Sequence, residues 1–148
     1  FGDGDQHFDH NTSQDHVAPS TSSDLLYKGA LDGRSRSVFR GVIRVHRGAQ
    51  KTDAYQTNRN LLLSDHELAD SLPKLEIQAD DVKCSHGATV GQLDAESRFY
   101  LMSRGLTREQ AERLVVLGFL GEVLSRLPLG GVAQKVTRVI EEKLRQSA

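Results

Sequence analysis

The sequence is poor in cysteine, since Cys84 is the only one among 148 residues. A single cysteine permits no internal disulfide, and this usage is typical of a reducing compartment. It also means that the chain holds no C-x-x-C pair of thiolates. A metal site built on Cys84 would therefore need ligands of other kinds, or ligands from another chain.

Long apolar runs and an excess of basic charge are also missing. No apolar stretch reaches the roughly 18–20 residues that span a bilayer, so we expect no membrane partner. The formal net charge is −1, so we expect no nucleic-acid partner. The sequence begins at Phe1 rather than at methionine and shows no signal peptide, which predicts a fragment or a processed product.

Several catalytic motifs are absent as well. There is no GxxxxGK[ST] or GxGxxG loop for phosphates, and there is no GxSxG or HExxH. The sequence therefore lacks the parts for ATP hydrolysis or for a self-contained metalloenzyme.

The residues that are present divide the chain into a β part and a helical part. From Leu25 to Ala79, short runs rich in Val, Ile and Leu are separated by turn signals, which predicts a mainly β fold. The pattern alone leaves a stack, a sandwich and a β-helix open. We predict a boundary near residue 93, with a β core over 1–93 and a helical subdomain over 94–148.

Some predictions about the β part are local. The polar stretch Phe1–Asp24 contains His7, His10 and His16, and we favour a flexible or edge segment there over a metal site. We expect Asn58 and Asn60 at turns, Pro73 at the start of a strand, and Gly41 at a bend or a close backbone approach.

The helical part carries clear start signals. Asp94 is a good N-cap, and Thr107 with Gln110 matches a capping box. The second helix is apolar nearly all round, which predicts burial on several sides. We expect Pro128 to end it, and a third helix to begin near Val132.

Leu75–Leu93 carries the strongest candidate site. Because residues two apart on a strand share a face, Cys84 and His86 would stand on one face with Cα atoms roughly 6.5–7 Å apart. That separation is too long for a direct hydrogen bond along the backbone, but both side chains can converge on a metal ion or on a partner's residue. The neighbouring pair Asp80-Asp81 is better explained as a solvated turn than as a hard-metal site.

The run ADDVKCSHGATVGQLD, followed by FYLMSRGLT, resembles the C-terminal part of the SufD subunit family. More loosely, it resembles the wider SufB/SufD family of iron–sulfur cluster assembly proteins. The upstream run GRSRSVFRGVIRVHRGAQKTDAYQTNRNLLLS fits the same family, and the resemblance covers about Ser20 to Leu127. It implies that the chain holds the last coils of a right-handed parallel β-helix, followed by helices.

The resemblance also implies partners and site residues. His86 matches the family histidine tied to cluster assembly, at an interface where a SufB-like subunit supplies a cysteine and a glutamate; Cys84 matches the cysteine of the same motif. An iron–sulfur cluster or iron would be held there transiently and shared with that subunit, and none is expected in this fragment alone. A homodimer is a further expectation. The compartment would be the bacterial cytoplasm, with the plastid stroma as an alternative.

The helical tail would dock a SufC-like ATPase. The expected contact residues are Phe99, Tyr100, Arg104 and Gly105, at and just before the corner Ser103–Gly105 between its first two helices. The function expected is therefore that of a non-catalytic scaffold subunit. Two alternatives stay open, a thiol enzyme with Cys84 as nucleophile and His86 as base, and a plain protein-interaction domain.

Overall fold

The structure, a computed structural model, describes residues 1–127 and 130–146. Within that part, six strands precede three helices. The strands are β1 (His7–His16), β2 (Ser22–Leu31), β3 (Arg36–Val45), β4 (Asp53–Leu62), β5 (Leu68–Ile77) and β6 (Lys83–Gln92). The helices are α1 (Ala95–Ser103), α2 (Arg108–Ser125) and α3 (Gly130–Gln146). The predicted order of a β part followed by helices is confirmed.

The strands form two parallel sheets between which the chain alternates. One sheet has the order β1-β3-β5 and the other β2-β4-β6. Parallel neighbours need a crossover connection, and here each crossover includes a strand of the other sheet. In-register residues such as Ser22, Asp53 and Lys83 are therefore about 30 residues apart. Neither sheet closes, so β1, β2, β5 and β6 are edge strands in the described chain.

Alternate residues of each strand point between the sheets and form the core there. Ile43, Val45 and Ala54 are fully buried or nearly so, and they pack with Ala49 and Ala79. Leu75, Val82 and Cys84 pack against this cluster while partly exposed. The core therefore thins toward β5 and β6, where the stack is open on one side.

A second cluster joins α2 and α3 to the outer face of β2. Ala30 of β2 packs against Val116, Leu120 and Leu144. Beside it the Lys28 side chain is only 4% exposed; its ammonium donates to the Phe119 carbonyl at 2.9 Å and forms an ion pair with Glu122. A buried ammonium is costly unless it is paired, so this contact fixes α2 on the sheet.

Two local predictions about the β part are wrong, and a third is confirmed in one of its two forms. The polar N-terminal stretch is an edge segment rather than a flexible one, because His7–His16 forms the edge strand β1 and pairs with β3 along its whole length. Asn58 and Asn60 are not at turns; they lie buried within β4, where the Asn60 amide donates to Asn58 at 2.8 Å. Pro73 lies in the middle of β5 rather than at its start, and it is tolerated because β5 is an edge strand.

The helix starts are confirmed. The Asp94 side chain accepts from the backbone of Glu96 and Ser97, and Thr107 and Gln110 form the reciprocal capping box. The third helix begins at Gly130, two residues earlier than predicted, and Pro128 lies outside the described residues. In the described part of the chain, no helix is both long and apolar enough to cross a membrane. The boundary near residue 93 stays a prediction.

Candidate functional site

The candidate site lies on β6, the last strand of the sheet β2-β4-β6. Its backbone pairs with β4 on one side only, so the other side of the strand is a free edge. Cys84 and His86 are in register with Ala54 and Gln56, which are both buried. By strand alternation the two side chains share the face of the sheet that looks between the sheets, as predicted.

Cys84 is the more enclosed of the two side chains. It is partly buried and packs against the cluster of Ile43, Val45 and Ala54. Burial raises the pKa of the Cys84 thiol; a hydrogen bond from the Ala54 backbone opposes this, and the charge of Asp53 adds to it. At neutral pH the side chain is therefore a thiol rather than an activated thiolate.

His86 stands in solvent at the open side of the stack. Its side chain is exposed. Within residues 1–127 and 130–146, no residue forms a hydrogen bond with its imidazole ring. The residues that follow it on the same face, Ala88 and Val90, are exposed as well. The inward face of β6 is thus an uncovered row, while the equivalent row of β4 is buried.

The described residues bring Cys84 and His86 to one face but add no third ligand to them. Nowhere in the described ranges do three or more His, Cys, Asp or Glu side chains gather in a way that could hold a metal ion. Asp80 and Asp81 form an exposed bend before β6, as expected for a solvated turn. A soft thiol and an imidazole are a partial ligand set of the kind that suits iron or zinc.

The N-terminal histidines are dispersed by β1. His16 is buried, with its ring nitrogens 2.7 Å and 2.8 Å from the hydroxyls of Thr21 and Ser23. His10 stacks on Phe8 and also contacts Tyr27, between the sheets. His7 is exposed. His16 therefore has hydrogen-bonding partners within the protein, and His10 has packing partners.

The corner between α1 and α2 carries the other predicted residues, and all of them are exposed. Phe99 is 72% exposed and Tyr100 is 56% exposed. The Arg104 guanidinium lies 5.2 Å from the centre of the Tyr100 ring. Gly105 has φ of +95°, a left-handed conformation that suits glycine just past a helix end. Two large aromatic side chains in the middle of α1 and the arginine at its C-cap are therefore exposed.

Residues 1–119 match the family model of the SUF system FeS cluster assembly, SufBD core domain. The chain belongs to the SufBD core family. The matched range contains both sheets, α1 and most of α2, so it includes the β6 edge and the helix corner.

Curated relatives of the SufBD core family align with nearly the whole chain. It is 40% identical to an iron–sulfur cluster assembly SufBD family protein of Mycobacterium leprae, over 97% of this chain and 39% of the relative. It is 38% identical to the iron–sulfur cluster assembly protein SufD of Bacillus subtilis and 41% identical to that of Escherichia coli. These alignments cover 97% and 92% of this chain, and 33% and 32% of those relatives. The chain thus spans 32–39% of the length of these relatives.

Gln56 was missed from the sequence, although it lies beside His86 in this SufBD core chain. Its side chain is 0% exposed, and both amide atoms are buried with no hydrogen-bond partner among the described residues. An unsatisfied buried amide costs about 1–3 kcal/mol, so a partner is expected for it. In the sequence, only Gly41 gave a signal for this position: a close approach was predicted at the glycine, and the group that approaches it is the Gln56 amide.

Proposed function

We propose that this chain is the C-terminal part of a SufD-like scaffold subunit in iron–sulfur cluster assembly, and that it catalyses no reaction of its own. One observation carries the proposal. The KCSHGATVGQ strand, which lies within the range that matches the SufBD core family, presents Cys84 and His86 at the free edge of a sheet. An edge of this kind is a template for another chain to pair with.

The two alternating parallel sheets are proposed to be the last coils of a right-handed parallel β-helix. Support comes from the regular alternation of sheets and from the register of about 30 residues between neighbouring strands. In this proposal β1 and β2 stack on earlier coils of the longer protein, and β5 and β6 face a SufB-like subunit.

The cluster, or its iron, is the cargo of the proposed site. His86 offers an accessible imidazole nitrogen to it. Cys84 lies two residues earlier on the same face of the strand and is more buried. The remaining ligands come from the SufB-like partner, so that the cluster forms across the interface rather than within one chain. His86 ranks first because its ring is exposed, while the Cys84 thiol is held against the core.

The helix corner is proposed to dock a SufC-like ATPase. Phe99, Tyr100 and Arg104 are of the residue types enriched in interfaces, and they are exposed together on one short helix and its cap. Because α2 is fixed on β2 by Lys28, movement of an ATPase docked at the corner would be transmitted to the sheets.

A thiol enzyme is the second candidate, and the structure gives little support to it. A nucleophilic cysteine needs a lowered pKa, whereas burial raises the pKa of the Cys84 thiol. A plain interaction domain is the third candidate, and a homodimer through the free edges is its simplest form.

The proposal is tested by mixing the full-length protein with SufB-like and SufC-like subunits produced in a bacterial cytoplasm. We expect a stable complex of all three that matures a cluster only when the chain is present. A protein that leaves both subunits unbound, or a homodimer that forms to the exclusion of the SufB-like subunit, would overturn it.

A further inference from the structure

The interior next to the candidate site is built from two rows of in-register residues. On one sheet the row is Leu25, Gln56 and His86; on the other it is Thr12, Gly41 and Pro73. The Gln56 side chain reaches from one row to the other, because a Cβ atom added to Gly41 would overlap with both Nε2 and Oε1 of its amide. The amide therefore spans the space between the sheets and rests on the glycine.

Gln56 is 0% exposed although β4 lies only one strand in from the open edge. The residues beside it toward that edge are His86 on β6 and Pro73 on β5. These two residues are therefore the in-register neighbours of the amide on the open side. Pro73 has no N–H group, so of the two only the imidazole has side-chain hydrogen-bonding capacity to offer.

We propose that Gln56 is a positioning residue for His86, its amide holding the imidazole through one buried water. Both amide atoms lack partners among the described residues, so the amide has a donor and an acceptor available. A hydrogen bond to one ring nitrogen decides which tautomer is present, and hence which nitrogen is offered to the cargo. Gly41 keeps the amide in place because any larger residue would overlap with it.

The inference rests on the proposed function only where it assigns His86 a role in binding the cluster or its iron. The contact itself is tested on the full-length protein labelled with 15N-histidine, at a mildly alkaline pH where free histidine is neutral. Ring nitrogen shifts report the tautomer ratio of His86, whose signals are assigned by their loss in His86→Ala. We expect one tautomer to dominate, and the ratio to move about fivefold toward that of free histidine in Gln56→Met.

Gly41→Ala is the second variant, and it leaves Gln56 itself unchanged. Its added methyl group should displace the amide and shift the His86 ratio in the same direction, which keeps the test valid if Gln56→Met folds poorly. Gln14→Met is the matched control, because Gln14 of β1 also lies between the sheets with an unpartnered side-chain carbonyl among the described residues, while its amide nitrogen donates to the Ser23 hydroxyl and the Tyr55 carbonyl. The control should leave the His86 signals unchanged.

Two outcomes separate this inference from the function. If the tautomer ratio is unchanged in both Gln56→Met and Gly41→Ala, the amide serves interior waters alone and the inference is wrong. If the ratio shifts as expected, cluster maturation in the complex should fall about 10-fold in Gln56→Met with the complex intact. A shifted ratio beside normal maturation in His86→Ala would leave the contact standing and overturn the proposed function.

Discussion

Cys84 and His86 differ in how far each side chain is open to solvent, and this difference ranks them as the proposed ligands. Cys84 packs on the core between the sheets and keeps its proton at neutral pH. His86 is exposed on an uncovered row of the edge strand. In the proposed complex, a partner would therefore reach the exposed imidazole before the more enclosed thiol.

Alkylation of Cys84 tests the state of its thiol. Burial raises the pKa, so iodoacetamide should label Cys84 more slowly than a free cysteine peptide at each pH, with the midpoint shifted to higher pH. The labelled fraction is followed by mass spectrometry against pH. Rapid labelling at or below about pH 7 would instead indicate an activated thiolate and favour the thiol enzyme.

Replacement of Cys84 tests the ranking. Cys84→Ser should lower cluster maturation less than His86→Ala does, because the thiol is the more enclosed and protonated group. Maturation rates of the two variant complexes are compared at equal complex concentration. Equal losses would reverse the ranking and make Cys84 a principal ligand.

At the scale of the element, α2 depends on a buried lysine. Lys28 is 4% exposed and reaches Glu122 and the Phe119 carbonyl across the gap between β2 and α2. The hydrogen bond from Lys28 is the largest cause that holds the pKa of the Glu122 carboxyl below its usual range, and burial partly opposes it. The ionised carboxylate thus stabilises the packing of the helix on the sheet.

This coupling predicts a contribution to acid sensitivity. A carboxyl with a lowered pKa in the folded state stabilises fully above its unfolded pKa of about 4.3, and the contribution is lost as the pH falls through the folded pKa. The free energy of unfolding, measured with urea, should therefore fall less steeply from neutral to acidic pH in Glu122→Gln than in the wild type. The variant should also be less stable at neutral pH. Glu109→Gln, an exposed change on the same helix, is the control. An unchanged pH profile in Glu122→Gln would refute the role given to this pair.

The helix corner supports a second prediction at this scale. Arg104→Glu places a negative charge at the C-terminal end of α1 and removes the contact with Tyr100, which should cost about 0.5–1 kcal/mol of stability. It should weaken binding of the SufC-like subunit and leave the SufB-like subunit bound.

Pull-down of both partners by the same variant decides this prediction. Arg47→Glu, in the exposed loop between β3 and β4, is the matched charge reversal away from the corner. Undiminished SufC-like binding with lost SufB-like binding would place the ATPase surface on the β part.

How much the sequence revealed also depended on the element. A helix start depends on residues that are close together in the sequence, so the N-caps Asp94 and Thr107 could be predicted without knowledge of the fold. Parallel strands are paired with residues about 30 positions away, and nothing local marks Asn58 as buried or Pro73 as mid-strand. The face shared by Cys84 and His86 followed from alternation alone, but the neighbour Gln56 required the register.

At the scale of the whole molecule, the chain is a stack with two different sides. One outer face, on β2, is covered by helices that carry the exposed corner, and the opposite end of the same sheet is the free edge of β6. The proposed ATPase surface and the proposed cluster site are thus connected through β2, β4 and β6.

The most direct test of this account is cluster maturation by the complex that contains His86→Ala in the full-length protein. His66→Ala, an exposed histidine in the loop between β4 and β5, is the control. We expect the His86 variant to bind both partners as the wild type does and to mature clusters at least about 10-fold more slowly, while the His66 variant behaves as wild type. Maturation by the intact His86→Ala complex at the wild-type rate would contradict the account.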